Sequence, residues 1–129
     1  MARILIVDDE QDVVELIKFM LEKEGHVCAT RHDGGEALVE LGLEPSDESK
    51  PLPDLVILDV MMPIMDGYEV CSRMRENSRT KDVPVLILTA KGGMKELHQR
   101  TPNVAEHLDK PFDPRQLRQL INAMLEGAR

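Results

Sequence analysis

The sequence predicts an α/β fold in which a parallel sheet carries helices on both faces. Three short apolar runs rich in valine and isoleucine, at residues 4–7, 55–58 and 85–88, are typical of strands that are buried on both sides. Segments with apolar residues at helical spacing lie between these runs. Strand and helix alternate along the whole chain, and that order favours a parallel sheet.

Weaker strand candidates at residues 26–30 and 105–108 bring the predicted strands to five. The predicted helices are marked, in chain order, by Val13, Ile17, Met20 and Leu21; by Ala37, Leu38 and Leu41; by Tyr68, Cys71 and Met74; by Met94, Leu97, His98 and Thr101; and by Leu117, Leu120, Ile121 and Met124. The third helix should begin near Asp66, and the fourth must end before Pro102. The last has a clear start, because Asp113 can cap it and Pro114 fits its first turn.

One connection is unusually long. Residues 44–53 contain three prolines, two serines and three acids, whereas connections in compact domains usually run to about 4–6 residues. We expect a solvated excursion rather than a docking site.

Length and composition exclude several classes of protein. The 129 residues fit one domain, predicted over residues 1–129 with a core at about 2–126, and 42% apolar residues are enough to build that core. The net charge of −8 disfavours nucleic acid and anionic membranes as main partners, and one Tyr with two Phe cannot form a stacking platform for single strands. We expect a cytoplasmic protein, because neither a membrane span nor a signal peptide is visible and two cysteines suit a reducing compartment.

Polar residues follow the apolar runs at the predicted carboxyl edge of the sheet. They are Asp8, Asp9, Asp59, Thr89, Asp109 and Lys110. Because ligands of open α/β sheets bind outside the carboxyl ends of the strands, we expect these side chains to converge there.

Three carboxylates brought together repel one another, and a hard divalent cation such as Mg²⁺ resolves the conflict. A hydroxyl and an ammonium at the same edge suit an anion bound to that metal, most often a phosphoryl group. An aspartate can itself form an aspartyl phosphate. Asp59 alone ends the middle strand and is the preferred nucleophile, which leaves Asp8 and Asp9 as the metal pair.

Each of these residues also has a plainer interpretation. Asp8 and Asp9 could cap the first helix, although a cap needs only one acid. Asp59 could be a turn residue, Thr89 could simply end a strand, and Lys110 could be an ordinary surface lysine. Their common position at strand ends favours the metal and phosphoryl interpretation.

Four stretches in this order resemble the receiver domains of response regulators, which have the fold of the chemotaxis regulator. They are ILIVDDE at 4–10, DLVILDVMMPIMDGYEVC at 54–71, VPVLILTAK at 83–91 and LDKPF at 108–112. Together with the helix spacing they cover essentially the whole chain. The resemblance implies a flavodoxin-like, doubly wound sheet of five parallel strands, in the order 2-1-3-4-5, with helices on both faces.

The resemblance implies a metal site and a phosphorylation site. Asp59 matches the phosphorylated aspartate and also contributes to the Mg²⁺ site. Asp8 and Asp9 match the acidic pair that holds the ion, with Asp9 as the direct ligand. The main-chain carbonyl of Met61 matches a further ligand.

The resemblance also implies a switch. Thr89 matches the hydroxyl that moves to a phosphoryl oxygen, and Lys110 matches the residue that pairs with the phosphoryl group. The peptide bond between Lys110 and Pro111 matches one that is cis in this family. Met61 and Lys91 are expected to tune the lifetime of the phosphoryl group.

The implied function is two-component signalling. A sensor histidine kinase or a phosphotransfer protein would pass a phosphoryl group from its phosphohistidine to Asp59, and a downstream protein target would then be bound differently. A homodimer is also possible in this family. The domain would catalyse only its own phosphorylation and dephosphorylation.

Besides the long connection at residues 44–53, two features depart from the family pattern. His107 stands three residues before Lys110, where the family usually has a Tyr or Phe that reports the switch. The segment between Thr89 and Lys110 is one residue shorter than expected, and Val104-Ala105 replaces a usual Gly-Ala step. We therefore expect the face that meets partners or forms dimers to be remodelled.

Two other functions compete with this interpretation. One is a receiver-like protein-interaction module that acts independently of phosphorylation. The presence of every acid, Thr89 and Lys110 disfavours it, whereas the atypical His107 and the altered fourth helix leave it open. The other is a phosphatase of the haloacid-dehalogenase type, which is disfavoured because the first strand is not followed by D-x-D. No output domain is expected within this sequence, so the domain acts alone or belongs to a longer regulator.

Overall fold

A computed structural model describes residues 1–62, 65–90 and 103–127, except for the side chain of residue 90. Its strands are β1 (Arg3–Val7), β2 (Val27–Arg31), β3 (Leu55–Asp59), β4 (Val85–Ala90) and β5 (Val104–Lys110). All pair in parallel and form one sheet in the order β2-β1-β3-β4-β5. The predicted fold class and strand order are confirmed.

Four helices lie in the described ranges: α1 (Gln11–Lys23), α2 (Gly34–Glu40), α3 (Gly67–Arg75) and α4 (Pro114–Gly127). Both predicted helix starts are confirmed, because Asp66 accepts the backbone N–H of Glu69 at 2.9 Å and Asp113 accepts that of Arg115 at 2.8 Å. The helix predicted at 94–101 and the expectation for Lys91 lie outside the described residues. Within the described ranges, no helix has both the length and the apolar character needed to cross a bilayer.

Side chains of the strands alternate between two buried faces. On one face, α2 and α3 pack against residues that include Leu5, Val56 and Ile87. On the other face, α1 and α4 pack against residues that include Ile4 and Ile57. Every residue of the central strand β3 is buried, which explains its continuous apolar sequence.

The strands at the two ends of the sheet are less apolar because they are less buried. Val27 of β2 is exposed and the rest of that strand is half-buried. In β5, Val104 and Leu108 are buried, whereas Ala105 and Glu106 are exposed. These patterns account for the weak signals at 26–30 and 105–108.

The long connection between α2 and β3 is mostly exposed, as predicted, but it is also anchored to the protein. Arg79 donates a hydrogen bond from Nη2 to the carbonyl of Lys50 at 2.8 Å. Glu44 forms an ion pair with Arg73 of α3. Because this connection leads into the start of β3, it lies at the amino end of the sheet, opposite the predicted site.

Candidate functional site

The register of the strands brings the predicted polar residues to one edge of the sheet. Asp59, the last residue of β3, pairs with Leu88 of β4, so Thr89 stands one residue beyond it. Thr89 in turn pairs with Asp109 of β5. Four strands therefore contribute to this edge, as the pattern of strand ends predicts.

Four carboxylates form one cluster there. Asp8, Asp9, Glu10 and Asp59 each offer an oxygen atom, and these atoms lie within 4.8 Å of one another. Asp8 is fully buried and Asp59 is 3% exposed, whereas Asp9 and Glu10 are exposed. The cluster thus combines a buried floor with a rim that a solvated cation can reach.

Lys110 is the cation of this cluster. Its Nζ lies 2.7 Å from Asp8 Oδ2, 3.0 Å from Glu10 Oε1 and 3.5 Å from Asp59 Oδ2. Burial lowers the pKa of Lys110, but the three carboxylates outweigh burial and hold that pKa above its usual value. The peptide bond that follows, to Pro111, is cis.

One lysine does not neutralise this much negative charge. Burial, together with the nearby carboxylate of Asp8, raises the pKa of Asp59 to about 7, although Lys110 and the backbone N–H of Met61 act in the opposite direction. Asp8 Oδ2 makes the ion pair with Lys110 but accepts no hydrogen bond of good geometry from the described residues. The cluster therefore favours the arrival of further positive charge.

The plainer interpretation of Asp8 as a helix cap explains only one of its oxygens. Oδ1 accepts the backbone N–H of Glu10 at 2.9 Å, in the turn before α1. Glu10 is the N-cap position, and its side chain makes no capping hydrogen bond. The second oxygen, Oδ2, faces the lysine and the other acids instead.

These donors fit Mg²⁺. The ion prefers oxygen ligands, keeps several of its waters, and needs only one or two carboxylates from a protein. The cluster supplies carboxylate oxygens, excess negative charge and an exposed side, and Met61 follows Asp59 closely enough for its N–H to contact that carboxylate at 3.3 Å. A metal contact from the carbonyl of Met61 stays a prediction.

Thr89 lies beside the cluster and is only 2% exposed. Its Oγ1 donates a hydrogen bond to Asp109 Oδ1 at 2.9 Å. His107 is half-buried on β5 and pairs with Ile87 of β4. A switching role for either side chain stays a prediction.

A cavity of about 600 Å³ opens over the cluster. Four charged residues line its polar side: Asp9, Glu10, Asp59 and Lys110. The remaining wall is largely apolar and is formed by Val13, Leu16, Met61, Pro111 and Phe112. A side chain carried by another protein could therefore reach Asp59 through a partly apolar entrance.

The sequence of this chain matches the response regulator receiver domain family over residues 4–122. The chain belongs to this family. It is a receiver domain of two-component signalling.

Two regulators that are related to this receiver domain are about twice as long as this chain. The DNA-binding dual master transcriptional regulator RpaA of Synechocystis is 39% identical over 129 residues, which cover 97% of this chain and 49% of that protein. The alkaline phosphatase synthesis transcriptional regulatory protein PhoP of Bacillus subtilis is 36% identical, over 95% of this chain and 48% of its own length. The chain spans about half the length of these relatives.

Solved structures show the same fold. The chemotaxis response regulator CheY4 of Vibrio cholerae superposes with a TM-score of 0.85 and 30% identity, and the match covers 96% of this receiver domain and 98% of that chain. A response regulator from Chloroflexus aurantiacus also has a TM-score of 0.85, with 34% identity over 97% of this chain and 98% of its own.

Sequence reasoning gave no role to two residues that the structure places in the site. The side chain of Glu10 makes no capping hydrogen bond to α1 and instead accepts a hydrogen bond from Lys110. Asp109 accepts a hydrogen bond from the hydroxyl of Thr89. The parallel register would have revealed the second contact, since Thr89 and Asp109 are the last residues but one of β4 and β5. The contact of Glu10 spans 100 residues of sequence, and no local pattern indicates it.

Proposed function

We propose that Asp59 is the phosphoacceptor of this receiver domain and that its phosphorylation changes how the domain binds a protein partner. One observation carries the proposal. The carboxylate of Asp59 ends the central strand at the floor of an open cavity, 3.5 Å from the ammonium of Lys110 and inside a cluster of acids. Membership of the family adds the chemical class of the reaction.

The phosphoryl donor is a phosphohistidine on a sensor histidine kinase or a phosphotransfer protein. An oxygen of Asp59 attacks phosphorus, a P–O bond forms, and the P–N bond to the histidine breaks with its electron pair leaving on the imidazole nitrogen. Asp59 must be ionised to attack, and a pKa of about 7 leaves part of it protonated at neutral pH. Lys110 favours the ionised form, and a bound cation would favour it further. This receiver domain thus promotes its own phosphorylation and, with water as the nucleophile, its own dephosphorylation.

Asp8, Asp9 and Asp59, with the carbonyl of Met61, would hold Mg²⁺. When bound, the ion supplies positive charge against the transferring phosphoryl group. Lys110 adds a second positive charge, since it already contacts both buried carboxylates. Asp9 is the exposed member of the pair and the one that a hydrated ion meets first.

Thr89 would report the modification. After transfer, its hydroxyl donates to a phosphoryl oxygen, and the carboxyl ends of β4 and β5 adjust with it. The partner is a protein, bound by a single domain that spans residues 1–129. The activities of the longer relatives, including binding of DNA, are not assigned to this chain.

The proposal is tested by the mass of the intact protein after incubation with acetyl phosphate. The wild-type protein gains one phosphoryl group in the presence of Mg²⁺ and none in EDTA. Asp59→Asn gains none, whereas Asp82→Asn, which changes an exposed aspartate at the other end of the sheet, behaves like the wild type. An unmodified wild-type protein under every condition would contradict the proposal and favour the module that acts independently of phosphorylation.

A further inference from the structure

The hydroxyl of Thr89 already has a partner in this structure. Its Oγ1 donates to Asp109 Oδ1 at 2.9 Å, across the register pair that joins β4 to β5. Thr89 is 2% exposed, so water competes little for the bond on its side. Asp109 is half-buried and directly precedes Lys110 in the chain.

This bond and a bond to a phosphoryl group exclude each other. A threonine hydroxyl carries one hydrogen and can donate to only one acceptor at full strength. An ionised carboxylate offers only acceptors, as a phosphoryl group does. Thr89 must therefore release Asp109 before it can donate to a phosphoryl oxygen on Asp59.

We infer that Asp109 is a positioning residue that holds the Thr89 hydroxyl in the resting orientation and so opposes the phosphorylated state. The inference rests on the proposed function, because it assigns Asp109 a role in the switch at Asp59. Lys110 is held in the same way, by Asp8 and Glu10. In the resting protein, both groups that would bind a phosphoryl group are thus occupied by carboxylates.

The size of the effect follows from the chemistry of the bond. A hydrogen bond to an ionised acceptor corresponds to roughly a ten- to hundredfold change in an equilibrium constant. Asp109 is half-buried and can turn to water when released, so we expect the lower end of that range, about tenfold.

The test is a double-mutant cycle that uses beryllofluoride with Mg²⁺ as a mimic of the phosphoryl group, with affinity measured by calorimetry. Asp109→Ala binds the mimic about tenfold more tightly than the wild type. In the Thr89→Val background, the same change alters affinity by less than about twofold, because no hydroxyl is left to release. Asp109→Asn, which keeps a neutral acceptor, gives an intermediate gain.

A charge control separates the hydrogen bond from simple repulsion between Asp109 and the anion. Glu106→Gln removes a negative charge from an exposed position on the same strand and leaves affinity unchanged. Equal tightening by Asp109→Ala in both backgrounds, or tightening by Glu106→Gln of the same size, would overturn the inference.

Unfolding in EDTA gives a second measurement that needs neither metal nor mimic. The pair Thr89→Val and Asp109→Ala shows coupling of about fivefold in the unfolding equilibrium constant, and its absence would also overturn the inference. If the wild-type protein binds no beryllofluoride, the proposed function itself is contradicted. If it binds and the cycle shows no coupling, only the role of Asp109 is contradicted.

Discussion

The two ends of the sheet both carry acidic residues, but their surroundings shift the pKa of an aspartate in opposite directions. At the carboxyl end, Asp8 and Asp59 are buried, and burial together with Asp8 raises the pKa of Asp59 to about 7. At the amino end, Asp47 accepts hydrogen bonds from the backbone N–H and the hydroxyl of Ser49, and these bonds lower the pKa of that aspartate. Asp54 likewise accepts the N–H of Arg3 at 2.9 Å.

The difference separates acids that stabilise the folded state from acids that destabilise it. The acids of the amino end satisfy backbone donors and remain near water, so they cost little free energy. Those of the carboxyl end lose hydration and repel each other, and one lysine offsets only part of this cost. Such an arrangement is expected where a cation and an anion are to be bound.

Removal of the lysine at the carboxyl end should have the largest effect on stability. Lys110→Met leaves two buried carboxylates without a counterion and should lower the free energy of unfolding by about 3 kcal/mol at about pH 8 in EDTA. Arg73→Met breaks the exposed ion pair with Glu44 near the amino end and should cost less than about 0.5 kcal/mol. Urea unfolding measures both, and equal losses would contradict the comparison.

Removal of an acidic charge should raise the free energy of unfolding at the carboxyl end of the sheet and lower it at the amino end. The folded-state pKa of Asp59 is raised, so the protein loses stability as pH rises from the ordinary pKa of an aspartate, 3.8, towards about 7. Asp59→Asn should remove this loss and raise the free energy of unfolding by about 2 kcal/mol at about pH 8 in EDTA, with no gain near pH 4.

Asp47→Asn is the matched change at the amino end. The folded-state pKa of Asp47 is lowered, so the stability that it contributes is present above its unfolded pKa and is lost as pH falls. This variant should therefore be less stable than the wild type near neutral pH. Unfolding followed from about pH 4 to pH 8 compares the two variants, and stabilisation by both would refute the assignment.

Added Mg²⁺ should change the stability less than the removal of Lys110 or of the Asp59 charge does. An ion at ten times its dissociation constant stabilises the folded state by about 1.4 kcal/mol and should raise the melting temperature by a few degrees. Asp9→Asn should lose this response. Asp54→Asn, at the amino end, should keep it. If Mg²⁺ still stabilises Asp9→Asn, the ion binds at a site that does not include Asp9.

Much of the fold and site could be predicted because burial and chemistry leave their marks in the sequence. β3 is buried throughout and reads as a continuous apolar run that ends in Asp59. Parallel strands carry their carboxyl ends to one edge, so the convergence of the cluster followed from the order of the elements alone. Asp66 and Asp113 could be predicted as helix starts because aspartate accepts hydrogen bonds from the free backbone N–H groups of a first turn.

The remaining features depend on contacts that only the folded chain creates. The strands at the ends of the sheet are half exposed, so β5 contains Glu106 and His107 and its apolar signal is weak. The sequence alone does not show which acceptor the hydroxyl of Thr89 contacts. The register of β4 and β5 places Asp109 beside it, and the hydroxyl donates to that carboxylate. The anchoring of the long loop depends on Arg79, which comes 29 residues after its acceptor.

The measurement that tests the central claim most directly identifies the phosphorylated residue. Borohydride reduces an aspartyl phosphate to homoserine, and peptide mass spectrometry then locates the changed position. After incubation with acetyl phosphate, we predict homoserine at position 59 alone, and only when Mg²⁺ was present. Homoserine at position 8 or 9 instead, or at position 59 irrespective of Mg²⁺, would contradict the account of the carboxyl end.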